Sequence, residues 1–218
     1  QFASVFGREG KVMFMDCDTR QFDYVDLPET KYTWLLIDTC VKHSHLTSAY
    51  NKRVEECNGA LQSIKRRLPE VRHLSDIENM GVIDDVQFNS SKESARARFI
   101  IEENRRVRLF AEALQKSDMM ACGNLLHASH EGLSGKYEVS CPELDFLVSE
   151  AMGMESVLGA RMMGGGFGGC TLNLLNREYL PYLMNRIAKS YKNRFGLEPK
   201  FYDVKMGGQA DVRYYSTA

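Results

Sequence analysis

The sequence has almost no net charge, no long apolar run and no closely spaced pair of cysteines, and each absence excludes a class of protein. Its 28 basic residues nearly balance 29 acidic ones, so no basic field favours nucleic acid or an anionic membrane as a partner. No apolar stretch has the length of a membrane-spanning helix. The six cysteines are scattered without a C-x-x-C pair, which predicts a reduced, cytoplasmic protein rather than a disulfide-stabilised secreted one.

The length and apolar content are sufficient for a globular core. A chain of 218 residues with 44% apolar residues buries most of its apolar surface on folding and forms one or two domains. It begins with Gln1 and passes directly into the segment 2–6, which has the character of the middle of a fold. We therefore expect the sequence to be part of a longer protein.

Short β-prone runs and one longer apolar run predict three strands in the first forty residues. Residues 11–16 and 20–25 flank the turn 17–19 and are predicted to form a hairpin. Residues 32–38 have the continuous apolar character of a strand that is buried on both faces. We expect these three strands to lie in one sheet.

The rest of the chain alternates helical patterns with further strands. Apolar residues recur every three or four positions in several segments that are bounded by helix caps or helix breakers. These segments predict helices from 44 or 47 to 68, from 90 to about 114, from 117 to about 133, from 140 to 151 and from 177 to 195. Strands are predicted at 170–175, 200–206 and 212–215. The order of elements predicts an α+β fold with helices packed on a largely antiparallel sheet.

The most informative stretch is rich in glycine. Five of the six positions from 164 to 169 are glycine, with Phe167 as the exception. Glycine is favoured where the backbone needs a positive φ or where another group approaches the chain closely. Successive N–H groups in such a turn form a concave site for a phosphate, although neither the Walker nor the Rossmann spacing is present. The alternative is a flexible connection between two strands, and the spacing alone leaves both interpretations open.

Two other groups of polar residues are candidates for binding. The turn 38–47 leaves a buried strand and enters a helix N-terminus, where Lys42 and Ser44 would face a phosphate or a sugar hydroxyl. The alternative is that Lys42 is an ordinary basic residue and Ser44 a helix cap. His127 and His130 lie at helical spacing, but no third ligand lies near them in the sequence, so no metal site is predicted.

The glycine-rich stretch resembles a signature of a known enzyme family. Residues 159–170, Gly-Ala-Arg-Met-Met-Gly-Gly-Gly-Phe-Gly-Gly-Cys, are similar to the third motif of the GHMP small-molecule kinases in its galactokinase form, G-[SA]-R-M-T-G-G-G-F-G-G-C. Only Met163 departs, where a threonine is usual, so the hydroxyl of that residue is absent here. Residues 36–43, 50–57, 96–107 and 129–145 resemble further galactokinase motifs in the same order. The resemblance therefore covers nearly the whole chain.

This resemblance implies an ATP-dependent sugar kinase. The whole protein would transfer the γ-phosphoryl of ATP, bound with Mg²⁺, to the anomeric hydroxyl of α-D-galactose and give galactose 1-phosphate. The resemblance implies a GHMP kinase C-terminal domain over residues 31–218 and a remnant of the N-terminal domain over residues 1–30. The catalytic aspartate of the family would immediately precede Gln1, and the ATP phosphate loop would also lie upstream, so this chain alone is expected to be inactive.

Within this chain the resemblance implies contacts to both substrates. The family tyrosine that contacts the sugar corresponds to Tyr50, although its place on the apolar stripe of a helix is also compatible with a core position. A backbone wall beside the sugar and the phosphates would be formed by Gly164, Gly165, Gly166, Phe167, Gly168 and Gly169. No metal ligand is implied in this chain. A monomer with galactose and ATP as its partners is expected.

Two other functions stay open on the sequence. A protein of the same fold can bind galactose and ATP as a sensor, or interact with other proteins, without catalysis. A kinase for N-acetylgalactosamine would keep the chemistry and change the sugar pocket. Intact catalytic and phosphate-loop residues upstream would favour the enzyme over the sensor.

Overall fold

The computed structural model describes residues 2–41 and 46–208, and these residues form six α-helices and six β-strands. The helices are α1 (Phe2–Phe6), α2 (Leu46–Lys65), α3 (Ser91–Gln115), α4 (Met119–Glu131), α5 (Pro142–Met152) and α6 (Leu180–Phe195). The strands are β1 (Lys11–Met15), β2 (Phe22–Asp26), β3 (Tyr32–Asp38), β4 (Val157–Met162), β5 (Cys170–Asn176) and β6 (Lys200–Val204). A π-helical turn (Gly132–Tyr137) follows α4. The predicted strand at 212–215 lies outside the described residues.

A four-stranded antiparallel sheet forms the centre of the molecule. Its strand order is β4-β5-β3-β6, so β3 has a neighbour on each side, as its continuous apolar run predicts. In the register of β3 and β5, Asp38 lies opposite Cys170, which brings the end of β3 beside the start of β5. The sequence does not predict β4, because Gly159 and Ala160 have a low preference for strands.

β1 and β2 form a separate two-stranded sheet. They pair antiparallel, with Lys11 opposite Asp26, so the predicted hairpin is confirmed. The expectation that β1, β2 and β3 share one sheet is wrong, because β5 and β6 occupy both edges of β3 and leave no position for the hairpin.

Helices cover both faces of the four-stranded sheet. On one face, Leu35 of β3 belongs to a buried cluster with Leu147 of α5 and Ile187 of α6. On the other face, Trp34 belongs to a cluster with Leu126 of α4. A third buried cluster joins α2 to α3. The predicted packing of helices on an antiparallel sheet is confirmed.

α4 and β4 approach each other more closely than side chains allow. A Cβ atom at Gly123 of α4 would overlap the backbone of Leu158, and one at Gly159 would overlap the backbone of Gly123. Because no side chain separates the two elements, the C-terminal end of α4 lies against the end of β4. The glycine-rich stretch begins at this end of β4.

Several predicted helix boundaries are confirmed. Ser90 caps α3 by accepting a hydrogen bond from the N–H of Glu93, and Asp118 caps α4 by accepting one from Ala121. Gly196 ends α6 in the left-handed conformation, with φ at 71°. Across 2–41 and 46–208, no helix combines the length and the apolar character needed to cross a membrane.

Candidate functional site

The glycine-rich residues 164–169, the glycine loop, connect β4 to β5. The connection is a hairpin, closed by a 2.9 Å hydrogen bond from the N–H of Met163 to the carbonyl of Cys170. Four of the five glycines have a positive φ, and so does Phe167 at 59°. The loop therefore needs glycine for its backbone conformation, which is the first of the two reasons that the sequence suggests.

Hydrogen bonds from two other segments fix the glycine loop. The N–H of Phe167 donates a 2.7 Å hydrogen bond to the carbonyl of Val139, a residue in the segment that leads into α5. The carbonyl of Gly169 accepts hydrogen bonds of 2.9 Å from both the N–H and the hydroxyl of Thr39. The ring of Phe167 also packs against a buried cluster beneath the loop that includes Leu144. The loop is a hairpin connection, but its contacts hold it in one place.

Gly165 and Gly166 differ in what surrounds them. A Cβ atom at Gly166 would overlap the carbonyl oxygen of Val139, and its φ is 86°. Gly165 has no positive φ, and a Cβ atom there would meet no atom within 4 Å. The fold itself therefore requires glycine at 166. At 165 neither the backbone conformation nor a neighbouring atom requires glycine. The remaining physical reason for a glycine there is that a group outside the described chain, such as a ligand, approaches the backbone closely.

The backbone N–H groups of the loop are available to a ligand. Within the part of the chain that the structure describes, the N–H groups of all five glycines of the loop have no hydrogen-bond acceptor. Unpaired N–H groups in a turn with positive φ values attract anionic oxygens. The arrangement is therefore suited to a phosphate or to another group with negatively charged oxygens.

The end of β3 lies beside the glycine loop, and a hydrogen bond from a side chain of α6 holds it in place. The hydroxyl of Tyr191, in α6, donates to the carbonyl of Thr39 at 2.9 Å, and the Tyr191 side chain is fully buried. Asp38 accepts a 2.8 Å hydrogen bond from the N–H of Cys40, which has a positive φ of 56°. The sequence gives no sign of this role for Tyr191, because its position on the apolar face of α6 is that of an ordinary core residue.

The other predicted site residues fall in two places. Lys42 and Ser44 lie outside the described residues, so their proposed contacts to phosphate stay predictions. Tyr50 lies in the first half of α2, and it is 56% exposed. The Tyr50 side chain is therefore accessible to a ligand and is not part of the apolar core.

Four charged side chains between α2, α3 and the start of α5 form an ion cluster: Arg53, Glu56, Arg96 and Glu138. Arg96 is fully buried, and it donates to Glu56 at 2.7 Å and to Glu138 at 2.9 Å. Arg53 lies 2.7 Å from the same carboxylate oxygen of Glu56 and 3.6 Å from Glu138. These residues belong to the stretches that resemble galactokinase motifs, but they contact one another.

His130 and Asp145 form a second group of polar side chains, next to the strand end from which the glycine loop begins. Nδ1 of His130 accepts a 3.2 Å hydrogen bond from the N–H of Met162, the last residue of β4. Nε2 of His130 lies 3.3 Å from Asp145 of α5. Burial lowers the pKa of His130 from its usual 6.5, and this effect exceeds the opposing influence of Asp145. His130 therefore fixes the strand end from which the loop emerges.

His130 and His127 do not form part of a metal site in the described structure. Over these residues, no group of three or more histidine, cysteine, aspartate or glutamate side chains is arranged to hold a metal ion. His127 pairs with Glu131 on its own helix at 3.8 Å.

Comparisons with known proteins point to one family. Residues 110–193 match the model of the GHMP kinases C-terminal domain. The chain is 36% identical over 205 residues to the galactokinase of Thermotoga maritima, covering 94% of this chain and 56% of that protein. It superimposes on a crystal structure of Lactococcus lactis galactokinase complexed with galactose with a TM-score of 0.87 and 29% identity, covering 95% of this chain and 54% of that chain.

A more distant structure shares the fold. The mevalonate kinase of L. major in complex with R-mevalonate superimposes with a TM-score of 0.55 and 16% identity, over 92% of this chain and 50% of that chain. The chain spans about half the length of the curated relatives it matches.

Proposed function

We propose that this chain, whose residues 110–193 match the model of the GHMP kinases C-terminal domain, is the C-terminal part of a galactokinase. The complete protein transfers the γ-phosphoryl group of ATP to the anomeric hydroxyl of α-D-galactose and releases galactose 1-phosphate. The observation that carries the proposal is the glycine loop, with its fixed backbone and free N–H groups, in a chain 36% identical to a galactokinase.

The glycine loop forms a backbone wall beside the reacting groups. Phosphoryl transfer depends mainly on alignment and on stabilisation of negative charge. The unpaired N–H groups of the five loop glycines donate to anionic oxygens, and the hydrogen bonds from Thr39 and Phe167 keep those donors in position. Preorganised donors of this kind stabilise developing charge without reorganising during the reaction.

Tyr50 contacts the sugar in this proposal. Its ring covers an apolar face of galactose and its hydroxyl reaches a sugar oxygen, a combination for which tyrosine is suited. The exposure of Tyr50 on α2 supports this role. Lys42 and Ser44, between the end of β3 and the start of α2, contact phosphate in the same proposal.

The remaining groups of the reaction belong to the N-terminal half of the protein. That half supplies the aspartate that orients or deprotonates the sugar hydroxyl, and it holds most of the ATP and the Mg²⁺. Residues 1–30 belong to its domain and residues 31–218 to the C-terminal one. β1 and β2 pair with each other and not with the strands of the four-stranded sheet, which supports this division, while Val25 of β2 packs in the same buried cluster as Trp34 of β3. We place the complete enzyme in the cytoplasm as a monomer.

The test compares two proteins in an assay of ADP release with galactose and MgATP. One is this chain alone, and the other is the chain joined to the N-terminal half that the relatives possess. We expect turnover only in the longer protein. Turnover by this chain alone would contradict the proposed role of an upstream aspartate, and turnover in neither protein would contradict the kinase.

Two further measurements separate the alternative functions. Binding of galactose and ATP to the longer protein without turnover would favour a sensor. A kcat/KM for N-acetylgalactosamine above that for galactose would favour a kinase for the modified sugar.

A further inference from the structure

The ion cluster connects three elements through one buried side chain. Arg96 of α3 is fully buried, and its guanidinium donates to Glu56 of α2, to Glu138 and to the backbone carbonyl of Lys136. The planar fork of arginine reaches several acceptors at fixed angles, whereas lysine presents a single ammonium. Arg96 therefore links α2, α3 and the segment that leads into α5.

The cluster acts on the glycine loop through Glu138. Glu138 has a left-handed backbone, with φ at 56° and ψ at 50°, a conformation that residues other than glycine hold only when their surroundings fix it. Arg96, Arg53 and Lys92 all pair with its carboxylate. The next residue, Val139, directs its carbonyl to the N–H of Phe167 in the loop. The conformation of Glu138 thus sets the position of a hydrogen bond that holds the loop.

The same cluster acts on Tyr50 through α2. Arg53 lies one helical turn after Tyr50, and it pairs with Glu56 and donates to the carbonyl of Tyr137 at 3.2 Å. Glu56 in turn accepts from Arg96. These contacts fix the orientation of α2 about its axis and its position along the π-helical turn. They therefore also fix the direction in which the Tyr50 side chain points from the helix.

We propose that Arg96 is a positioning residue that sets the distance between Tyr50 and the glycine loop, and thereby the fit of the sugar between them. The inference rests on the proposed function for the identity of the sugar. Arg96 touches neither substrate. It acts through Glu56 on the helix that carries Tyr50 and through Glu138 on the carbonyl that holds the loop.

The first test is the kinetics of Arg96→Lys in the complete protein. Lysine keeps the charge but reaches fewer of the three acceptors, so the two elements shift relative to each other. We expect the KM for galactose to rise roughly tenfold, because small displacements of positioning groups are costly, while the KM for ATP changes by less than about twofold. Equal changes in both KM values, or no change in either, would overturn the proposal.

The matched control is Arg108→Lys on the same helix. Arg108 pairs at 3.0 Å with Glu78, and both side chains are largely exposed. This variant should leave both KM values unchanged. A second control, Ile101→Val, removes a methyl group from the buried face of α3 without touching the ion cluster. It should lower the thermal stability and leave the KM for galactose unchanged, which separates positioning from general destabilisation.

A double-mutant cycle tests whether Arg96 acts through Tyr50. If it does, Arg96→Lys and Tyr50→Ala each raise the KM for galactose, and the rise in the double variant is smaller than the product of the two single effects. Multiplied effects in the double variant would show that Arg96 acts elsewhere, and would overturn the proposal.

Hydrogen exchange provides a readout that does not depend on the sugar. In the complete protein, Arg96→Lys should speed amide exchange in α2 and in the glycine loop, and Arg108→Lys should not. Unchanged exchange in both elements would overturn the proposal even if the wild-type protein phosphorylates galactose. Absence of phosphorylation by the wild-type protein, with faster exchange in the variant, would overturn the proposed function and leave the coupling of the two elements intact.

Discussion

The glycine loop and the ion cluster lie on adjacent segments of the molecule and are built in opposite ways. The loop is held mainly by backbone hydrogen bonds and leaves five N–H groups unpaired in the described structure. In the cluster, two arginines and two glutamates pair with one another, and Arg96 is fully buried. Both regions belong to stretches that resemble galactokinase motifs. The comparison teaches that such a motif marks a physical constraint, which is a backbone conformation with unpaired N–H groups in one region and a set of internal ion pairs in the other.

Replacement of Gly166 should have the largest effect, because this glycine serves the fold. Valine at 166 would overlap the Val139 carbonyl and adopt a φ that disfavours a branched side chain. We expect a loss of about 3–5 kcal/mol in the free energy of unfolding, from the strain and the overpacking together. Urea denaturation of this chain measures the loss. Unchanged stability would show that the loop is not fixed at this position.

Replacement of Gly165 should separate ligand contact from fold. Valine at 165 meets no atom of the described chain within 4 Å, so the stability should change by less than about 1 kcal/mol. In the complete protein, kcat/KM should fall roughly tenfold or more, because in the proposed site the side chain would occupy the space of a reacting group. Gly207→Val is the matched control, since Gly207 also has no neighbour within 4 Å. Unchanged kinetics at 165 would contradict a close approach to this loop.

Tyr191 is a point where a side chain supports the backbone of the loop region. Tyr191→Phe removes one hydroxyl that donates to the buried carbonyl of Thr39. We expect a loss of about 1 kcal/mol in the free energy of unfolding, the usual contribution of one such hydrogen bond. Tyr182→Phe on the same helix, where the side chain is exposed, should be neutral. Equal effects of the two variants would show that the Tyr191 hydroxyl does not fix the end of β3.

The smallest expected effect is a pH dependence that comes from His130. Its pKa is lowered by burial, so the unfolded chain takes up the proton first as the pH falls. The free energy of unfolding should therefore decrease as the pH drops from about 6.5 towards the lower folded value. Asp145, Arg161, His127 and Glu131 are the charged or titratable groups that act on this histidine.

Denaturation curves between pH 7.5 and pH 5.5 test this contribution. The decrease should be smaller in His130→Gln than in the wild type. A His130→Gln variant with the wild-type pH dependence would show that another group causes the decrease.

The sequence predicts the elements well where local chemistry determines them. β3 is predicted over the residues that form it, since a strand buried on both faces is apolar throughout. Ser90, Asp118 and Gly196 mark helix ends because capping depends on a few neighbouring residues. β4 is missed because its small residues are selected by a distant partner, the backbone of Gly123.

The sequence predicts only part of the candidate site, because several of its features also depend on residues that are distant in the chain. The glycine loop stands out by composition, but composition does not separate Gly165 from Gly166, because that difference depends on the carbonyl of Val139. Tyr50 has the helical spacing of a core residue and is exposed, since α2 leaves this part of its surface uncovered. The role of Tyr191 depends on the Thr39 carbonyl 152 positions away in the sequence.

The strand order affects the stage of folding at which the candidate site around the glycine loop forms. β4 and β5 are joined by a short loop and lose little chain entropy when they pair, whereas Thr39 meets Gly169 across a separation of 130 residues. Pairings of such high contact order are slow. We therefore expect the hairpin of β4, the glycine loop and β5 to form early. The contact between the loop and Thr39 should form only later, when β3 pairs with β5. A ligand of this site would then bind to the completed fold alone and would raise its free energy of unfolding.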